Sequence, residues 1–129
     1  MKVDKNKETR KKFINVGFLY EATRERFKLR PLNGENGFEN HIKDKNLHRP
    51  GLALAGYVEL FTYDRVQIIG NTEIKYLDSL PVEQRKAAIR TLLEFKIPCI
   101  VLTNNNKLDD DLLQAAALKG IPIFGTPFE

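Results

Sequence analysis

Residues 97–124, which read IPCIVLTNNNKLDDDLLQAAALKGIPIF, decide the fold of this chain. The run Pro98–Leu102 is apolar throughout and has the length of a strand whose two faces are both covered. Three aspartates at 109–111 open a helix that ends before Gly120, and Ile121–Phe124 forms a second strand. A strand, a helix and a strand in this order predict two parallel strands joined by the helix.

The residues before this stretch repeat the pattern. Val66–Gly70 predicts a strand that ends at a glycine, and Asn71 or Thr72 can cap a short helix after it. Pro81 suits the first turn of a further helix. The apolar residues expected on the buried sides of these two helices are Ile74, Leu77, Leu80, Ile89, Leu92 and Leu93. The sequence therefore predicts an α/β fold, a single three-layer domain with a mainly parallel sheet.

The amino-terminal part of the chain is less regular. Phe13–Val16 predicts a short strand, and a helix follows from Gly17 to about Phe27. The buried stripe of that helix is expected at Leu19, Tyr20, Thr23 and Phe27. Asn33–Gly37 predicts a turn, because asparagine and glycine tolerate positive φ. Residues 39–47 fit either an edge strand or a loop.

The composition predicts one globular domain. The chain has 129 residues, of which 42% are hydrophobic and 29% are charged, which is enough apolar material for one core. Its longest apolar stretch, Gly51–Val58, is too short to span a membrane, and no secretory signal follows the first lysines. Cys99 lies in an apolar run and is expected to be a buried thiol. We therefore expect a cytoplasmic protein that makes no contact with a membrane.

The positive net charge is confined to the amino terminus. The chain carries a formal charge of +4, and residues 1–12 contain six basic and two acidic side chains, which account for all of it. These residues predict a disordered basic leader. The remainder, residues 13–129, is neutral, and a neutral body argues against a surface dedicated to nucleic acid.

The glycine spacing of a phosphate-binding loop occurs at Gly51–Gly56, but the residues that such a loop needs are missing. Tyr57 and Val58 stand where a lysine and a serine or threonine would meet the phosphates and magnesium. The complete phosphate-loop motif, G-x-x-x-x-G-K-[ST], does not occur anywhere in the sequence. We therefore expect no nucleotide-binding loop in this chain and assign no catalytic residue.

Other chemically interesting residues favour structural interpretations. Successive helical residues point about 100° apart, so the aspartates at 109–111 are expected to favour the helix start rather than share a magnesium ion. His41 and His48 have no cysteine or carboxylate pattern around them that would complete a metal site. Cys99 has no histidine near it in the sequence that would activate it as a nucleophile. We expect no metal site.

Polar residues that suit a binding site follow the predicted strands. Asn71-Thr72-Glu73 follows one strand and Thr103–Asn106 follows the next, and parallel neighbours would bring both loops to one edge of the sheet. Ordinary capping and turn formation are the simpler explanation of the same residues. Any phosphate bound there should bind weakly, because Glu73 and the aspartates from Asp109 onward place negative charge near the same helix starts.

Arg49-Pro50-Gly51 forms a second feature of interest, a stiff corner that presents a guanidinium beside a turn. Its simplest role is to start a helix over Leu52–Tyr57, so we expect Arg49 to be structural. The candidate contacts for a ligand or a partner are Arg49, Gly51, Arg65, Asn71, Thr72, Glu73, Thr103 and Asn104.

Four blocks of this sequence resemble the amino-terminal domain of the bacterial HPr kinase/phosphorylase family. They are RPGLALAGY at 49–57, RVQIIGNTE at 65–73, IPCIVLT at 97–103 and GIPI at 120–123. Their order and spacing match over about residues 13–126. The resemblance implies a fold similar to that of the first domain of some muramyl-peptide ligases.

The resemblance also implies a function for the parent protein. Members of this family phosphorylate a serine of the phosphocarrier HPr with ATP or pyrophosphate and remove the phosphate by phosphorolysis, in control of carbohydrate metabolism. A second, carboxyl-terminal kinase domain holds the phosphate loop and the magnesium ligands, and the parent enzyme is a homohexamer. That kinase domain is absent from residues 1–129, so none of its catalytic residues and no cofactor are carried over to this chain.

Three functions remain open from the sequence. The first is a non-catalytic regulatory or interaction domain of an HPr kinase/phosphorylase, whose partners are the kinase domain of the same protein and, through it, HPr. The second is a stand-alone module that senses a nucleotide or a phosphometabolite at the predicted edge. The third, a nucleic-acid accessory that uses the basic leader, has the least support.

Overall fold

The computed structural model describes residues 14–44, 46–56, 58 and 61–129, so the predicted leader, Phe13 and Tyr57 lie outside the described residues. The strands are β1 (Ile14–Asn15), β2 (Arg30–Pro31), β3 (His41–Ile42), β4 (Leu47–His48), β5 (Val66–Ile69), β6 (Ile100–Leu102) and β7 (Ile123–Gly125). The helices are α1 (Val16–Thr23), α2 (Gly51–Leu54), α3 (Asn71–Asp78), α4 (Val82–Leu93) and α5 (Asp110–Leu118). None of the described helices is long and apolar enough to cross a membrane.

The main sheet has five strands in the order β2-β7-β6-β5-β4. Strands β4, β5, β6 and β7 run parallel, with Ile68 opposite Val101 and Val101 opposite Phe124, while β2 runs antiparallel to β7. The predicted α/β fold with a mainly parallel sheet is confirmed. Strands β1 and β3 form a separate antiparallel pair. Residues 39–47, which fitted a strand or a loop, thus contain β3 and begin β4.

Alternate residues of each central strand pack on opposite faces of the sheet. Ile100 and Leu102 join the larger core under α3, α4 and α5, whereas Cys99 and Val101 join a smaller core that α1 covers. The smaller core contains the stacked rings of Tyr20 and Phe124, whose centroids lie 5.4 Å apart. The predicted stripe of α4 is confirmed, since Ile89, Leu92 and Leu93 are all buried.

Helix α1 ends earlier than predicted. The Asn15 side chain accepts a hydrogen bond from the Phe18 N–H at 2.7 Å and fixes the start of the helix at Val16. At the other end, Lys28 adopts a left-handed conformation with φ of 50°, and the Leu29 N–H bonds the Arg24 carbonyl. This 6→1 bond is typical of a Schellman motif and turns the chain away. Phe27 is consequently 44% exposed, so its predicted burial is wrong.

Three predicted helix starts are also corrected. Gly70 occupies the N-cap position of α3, so neither Asn71 nor Thr72 caps this helix. Pro81 precedes α4 as its N-cap residue rather than lying within its first turn. Helix α2 is a single turn that begins at Gly51, which is shorter than the predicted helix over Leu52–Tyr57.

Candidate functional site

The structure brings the polar loops together as predicted. Strands β4, β5, β6 and β7 all end at one edge of the sheet, because they are parallel neighbours. We call this the carboxyl edge and define it by Arg49, Gly70–Glu73, Thr103–Asn106 and Thr126–Phe128. Ligands bind at the corresponding edge in many open α/β sheets.

Arg49, Gly70 and Glu73 form one compact contact at the carboxyl edge. The Glu73 side chain is 5% exposed, and its Oε1 accepts hydrogen bonds from the Gly70 N–H at 2.8 Å and from Arg49 Nη1 at 3.1 Å. A β-carbon at position 70 would lie 2.9 Å from Arg49 Nη1 and 3.1 Å from Thr103 Oγ1. Glycine is therefore the residue that lets the guanidinium approach the start of α3. The Arg49 side chain itself stays 56% exposed.

Asn106 links the two loops that the sequence placed at this edge. Its Nδ2 donates to Asn71 Oδ1 at 3.0 Å and to the Thr103 carbonyl at 2.7 Å. The Thr103 N–H in turn donates to the Ile69 carbonyl at 3.1 Å, which extends the pairing of β5 and β6 by one bond. The loop after β6 is thus fixed against the start of α3.

Asn104 and Asn105 hold the last residues of the chain. Both adopt left-handed conformations with φ of 56°, which asparagine tolerates better than most residues. Their N–H groups donate to the Phe128 carbonyl at 2.9 Å and to the Thr126 carbonyl at 3.0 Å, respectively. Asn104 therefore supports the carboxyl-terminal segment through its backbone. Thr72 is exposed on the first turn of α3.

Thr126 is a connecting residue that the sequence reasoning missed. Its hydroxyl donates to the Phe27 carbonyl at 2.5 Å and accepts from the Phe128 N–H at 3.3 Å. The residue is 5% exposed. A threonine directly after an apolar strand was the available signal, because the same position after β6 is occupied by Thr103.

Two of the candidate residues do not join the carboxyl edge contacts. Arg65 precedes β5 and therefore lies at the opposite edge, where its Nε donates to Asp44 Oδ2 at 2.9 Å. The Asn46 N–H and this arginine hold the pKa of Asp44 below its ordinary value. Gly51 begins α2, and a β-carbon there would meet no atom within 4 Å, so no close approach explains this glycine.

The surroundings of His48 and Cys99 indicate that both residues have structural roles. His48 Nδ1 lies 3.2 Å from Thr62 Oγ1, and burial, with a smaller effect of Arg65, lowers the pKa of this histidine. Cys99 is fully buried, as predicted, and burial raises the pKa of its thiol to about 12. A thiol with this pKa is protonated at neutral pH and is a poor nucleophile.

The aspartates that open α5 pair with basic side chains of α4. Arg85 Nη2 lies 3.2 Å from Asp109 Oδ2, and Lys86 Nζ lies 3.0 Å from Asp111 Oδ2. Asp109 is the N-cap residue and Asp110 lies in the first turn, as the sequence predicted. Within the described part of the chain, no three histidine, cysteine or acidic side chains converge to hold a metal ion.

The arrangement combines a half-exposed guanidinium, a helix start and several amide and hydroxyl groups. These groups can hydrogen-bond a carboxylate, a phosphate or a polypeptide backbone, and the Arg49–Glu73 pair offsets part of the positive charge. Such chemistry is that of a binding or contact surface on an α/β domain with a mixed, mainly parallel sheet.

The comparisons with known proteins identify the family. The model described as HPr Serine kinase N terminus matches residues 14–129, so the chain belongs to this family. It is 48% identical to the HPr kinase/phosphorylase of Chlorobium phaeovibrioides over 122 residues and 46% identical to that of Chloroherpeton thalassium over 124 residues. These alignments cover 93% and 95% of this chain but only 37% and 36% of the relatives.

A solved structure shares the fold. It contains the CBS and DRTGG domains of the regulatory region of Clostridium perfringens pyrophosphatase, in complex with the activator diadenosine tetraphosphate. The TM-score is 0.59 with 13% sequence identity, and the alignment covers 84% of this chain and 41% of that chain. At this identity the likeness shows the fold alone. The expected likeness to muramyl-peptide ligases stays a prediction.

Proposed function

We propose that this chain is the non-catalytic regulatory domain of an HPr kinase/phosphorylase. The observation that carries the proposal is the family match over residues 14–129, together with relatives of which the chain covers little more than a third. In this proposal the parent enzyme phosphorylates and dephosphorylates a serine of HPr in the cytoplasm. The kinase domain of the same protein supplies the site for ATP or pyrophosphate and magnesium, and the parent forms a homo-oligomer.

The folding of Gly51–Gly56 supports the absence of catalysis in this domain. This string forms the one-turn helix α2, in which Ala53 and Leu54 are buried in the larger core. Phosphoryl transfer depends on groups that hold the phosphates and the metal together, and buried alanine and leucine side chains supply none of them.

A transfer assay tests the proposal. The purified 129-residue chain and the product of the complete reading frame that contains it, which the proposal expects to be longer, are each incubated with HPr, labelled ATP and magnesium. We expect label on HPr only with the longer protein. Magnesium-dependent transfer by the 129-residue chain above a control without protein would contradict the assignment of catalysis to another domain. An inactive longer protein would contradict the proposed parent activity.

A second candidate function is the sensing of a nucleotide or phosphometabolite at the carboxyl edge. The half-exposed Arg49 beside the start of α3 favours it. Amide chemical shifts during titration with uridine nucleotides, ATP and phosphosugars test this candidate. Shifts confined to Gly70–Glu73 and Thr103–Asn106 would support it, and their absence at millimolar ligand would contradict it.

A further inference from the structure

The backbones of two half-exposed phenylalanines meet next to the carboxyl edge. Phe27 is 44% exposed and Phe128 is 46% exposed. The carbonyl of Phe27 and the N–H of Phe128 both hydrogen-bond one atom, Thr126 Oγ1, at 2.5 and 3.3 Å. One buried hydroxyl thus keeps the two residues adjacent. We call the exposed side chains on these two backbone segments, Phe27, Phe128, Arg26, Lys28 and Arg30, the Phe27–Phe128 patch.

The backbone that carries the Phe27–Phe128 patch is fixed on both sides. The Phe128 carbonyl accepts from the Asn104 N–H, and the Leu29 N–H bonds the Arg24 carbonyl across the left-handed Lys28. Apolar rings on a fixed backbone lose little conformational freedom when a partner covers them. Aromatic side chains of this kind are frequent anchors of protein–protein contacts.

The charge around these rings indicates which kind of partner surface is complementary to the patch. Residues 24–30 contain four basic side chains and one acidic side chain, and all five are exposed. The Arg24 guanidinium lies 3.6 Å from Glu21, whereas that of Arg26 lies 5.5 Å from the centre of the Phe27 ring. A complementary surface is therefore acidic with an apolar centre. A second copy of the domain docked through the same patch would place like charges opposite each other.

We propose that the Phe27–Phe128 patch docks an acidic surface of the kinase domain that follows this domain in the same protein. The inference rests on the proposed function. The match to the amino-terminal family includes the patch and reaches residue 129, and the curated relatives are nearly three times as long as the aligned segment. A domain joined after Phe128 starts beside the patch, which raises its effective concentration there.

Hydrogen exchange of backbone amides tests the proposal. Residues 26–30 are compared in the 129-residue chain and in the full-length protein that contains it. We expect at least tenfold slower exchange in the full-length protein. Phe27→Ser should abolish this difference. Phe18→Ser is the matched control, because Phe18 is 62% exposed at the start of α1 and lies outside the patch. Lys28→Glu should weaken the protection, whereas Lys75→Glu, at an exposed position of α3, should not.

The possible outcomes separate this inference from the proposed function. Equal exchange in the two proteins, with HPr phosphorylation by the full-length protein, would overturn the docking inference alone. Protection without HPr phosphorylation would support docking and contradict the proposed function. Equal loss of protection in the two serine variants would overturn the patch as the contact. Binding of the 129-residue chain to phosphatidylglycerol vesicles through Lys28, without protection in the full-length protein, would contradict docking of the kinase domain. It would indicate that the patch binds a lipid surface instead.

Discussion

Replacement of Arg49 should destabilise the domain more than its exposure suggests. Its side chain is 56% exposed, but the carboxylate that it bonds is 5% exposed. In Arg49→Ala, Glu73 Oε1 keeps the Gly70 N–H at 2.8 Å and loses the guanidinium at 3.1 Å. A buried charge left with fewer partners costs more than a broken surface pair.

The structure brackets the size of this effect. Exposed ion pairs contribute about 0–1 kcal/mol, and loss of one partner of a fully buried pair costs about 3–5 kcal/mol. Because water reaches Arg49 but not Glu73, we expect Arg49→Ala to lower the free energy of unfolding by about 1–2 kcal/mol. Glu73→Ala should cost about 2–3 kcal/mol, since it also removes the bond to the N-cap N–H of α3.

Urea denaturation of the two single variants and the double variant measures the coupling. We expect the double variant to be more stable than the sum of the single effects predicts, by about 1 kcal/mol. Arg90→Ala is the control, because Arg90 is 54% exposed and its partner Asp111 is also exposed. Additive single effects, or equal losses in Arg49→Ala and Arg90→Ala, would refute the argument from the burial of Glu73.

Three further predictions concern a buried thiol, a helix start and a turn. Because burial raises the pKa of Cys99 to about 12, its thiol should react with iodoacetamide at pH 8 only after unfolding; fast modification of the folded protein would contradict its burial. The hydrogen bond from Lys86 lowers the pKa of Asp111 below 3.8 in the folded state, so its stabilisation is present above 3.8 and is lost as the pH falls through the folded-state pKa. Unfolding curves of Asp111→Asn should therefore depend less on pH in this acidic range than those of the unchanged chain. Gly37→Ala should lower stability by more than about 2 kcal/mol, because φ is +93° and the new β-carbon would overlap the Gly120 carbonyl; an unchanged urea midpoint would exclude this close approach.

The central strands and helices could be predicted because their apolar patterns are local. The continuous apolar run that contains Ile100–Leu102 and the stripe on α4 both indicate burial without knowledge of distant residues. The end of α1 could not be predicted in the same way, because Phe27 continued the apolar period of the helix. A left-handed Lys28 and the bond from Leu29 to Arg24 turn the chain there, and lysine carries no signal for that conformation.

The grouping of the carboxyl edge loops followed from the parallel strands, but the individual contacts did not. The sequence indicates that residues 71–73 and 103–106 share an edge. In the structure, Asn106 Nδ2 lies 3.0 Å from Asn71 Oδ1. The position of Arg49 before Pro50-Gly51 is visible in the sequence, but its partner Glu73 is not, because Glu73 is 24 residues away on another element. The N-cap of α3 could not be predicted from side-chain type, because Gly70 has no side chain to cap the helix and Glu73 at the third helical position bonds the N-cap N–H instead.

The loop after β6 joins the two surfaces for which we make proposals. Through the Asn106 side chain it contacts Asn71 at the start of α3, next to the Arg49–Glu73 pair. Through the N–H groups of Asn104 and Asn105 it holds the segment that carries Phe128. Movement of the start of α3 or of the segment that carries Phe128 therefore strains hydrogen bonds made by the same short loop. If a ligand or partner displaces Arg49 from Glu73, the hydrogen bonds of this loop connect that change to the Phe27–Phe128 patch and to a kinase domain docked on it.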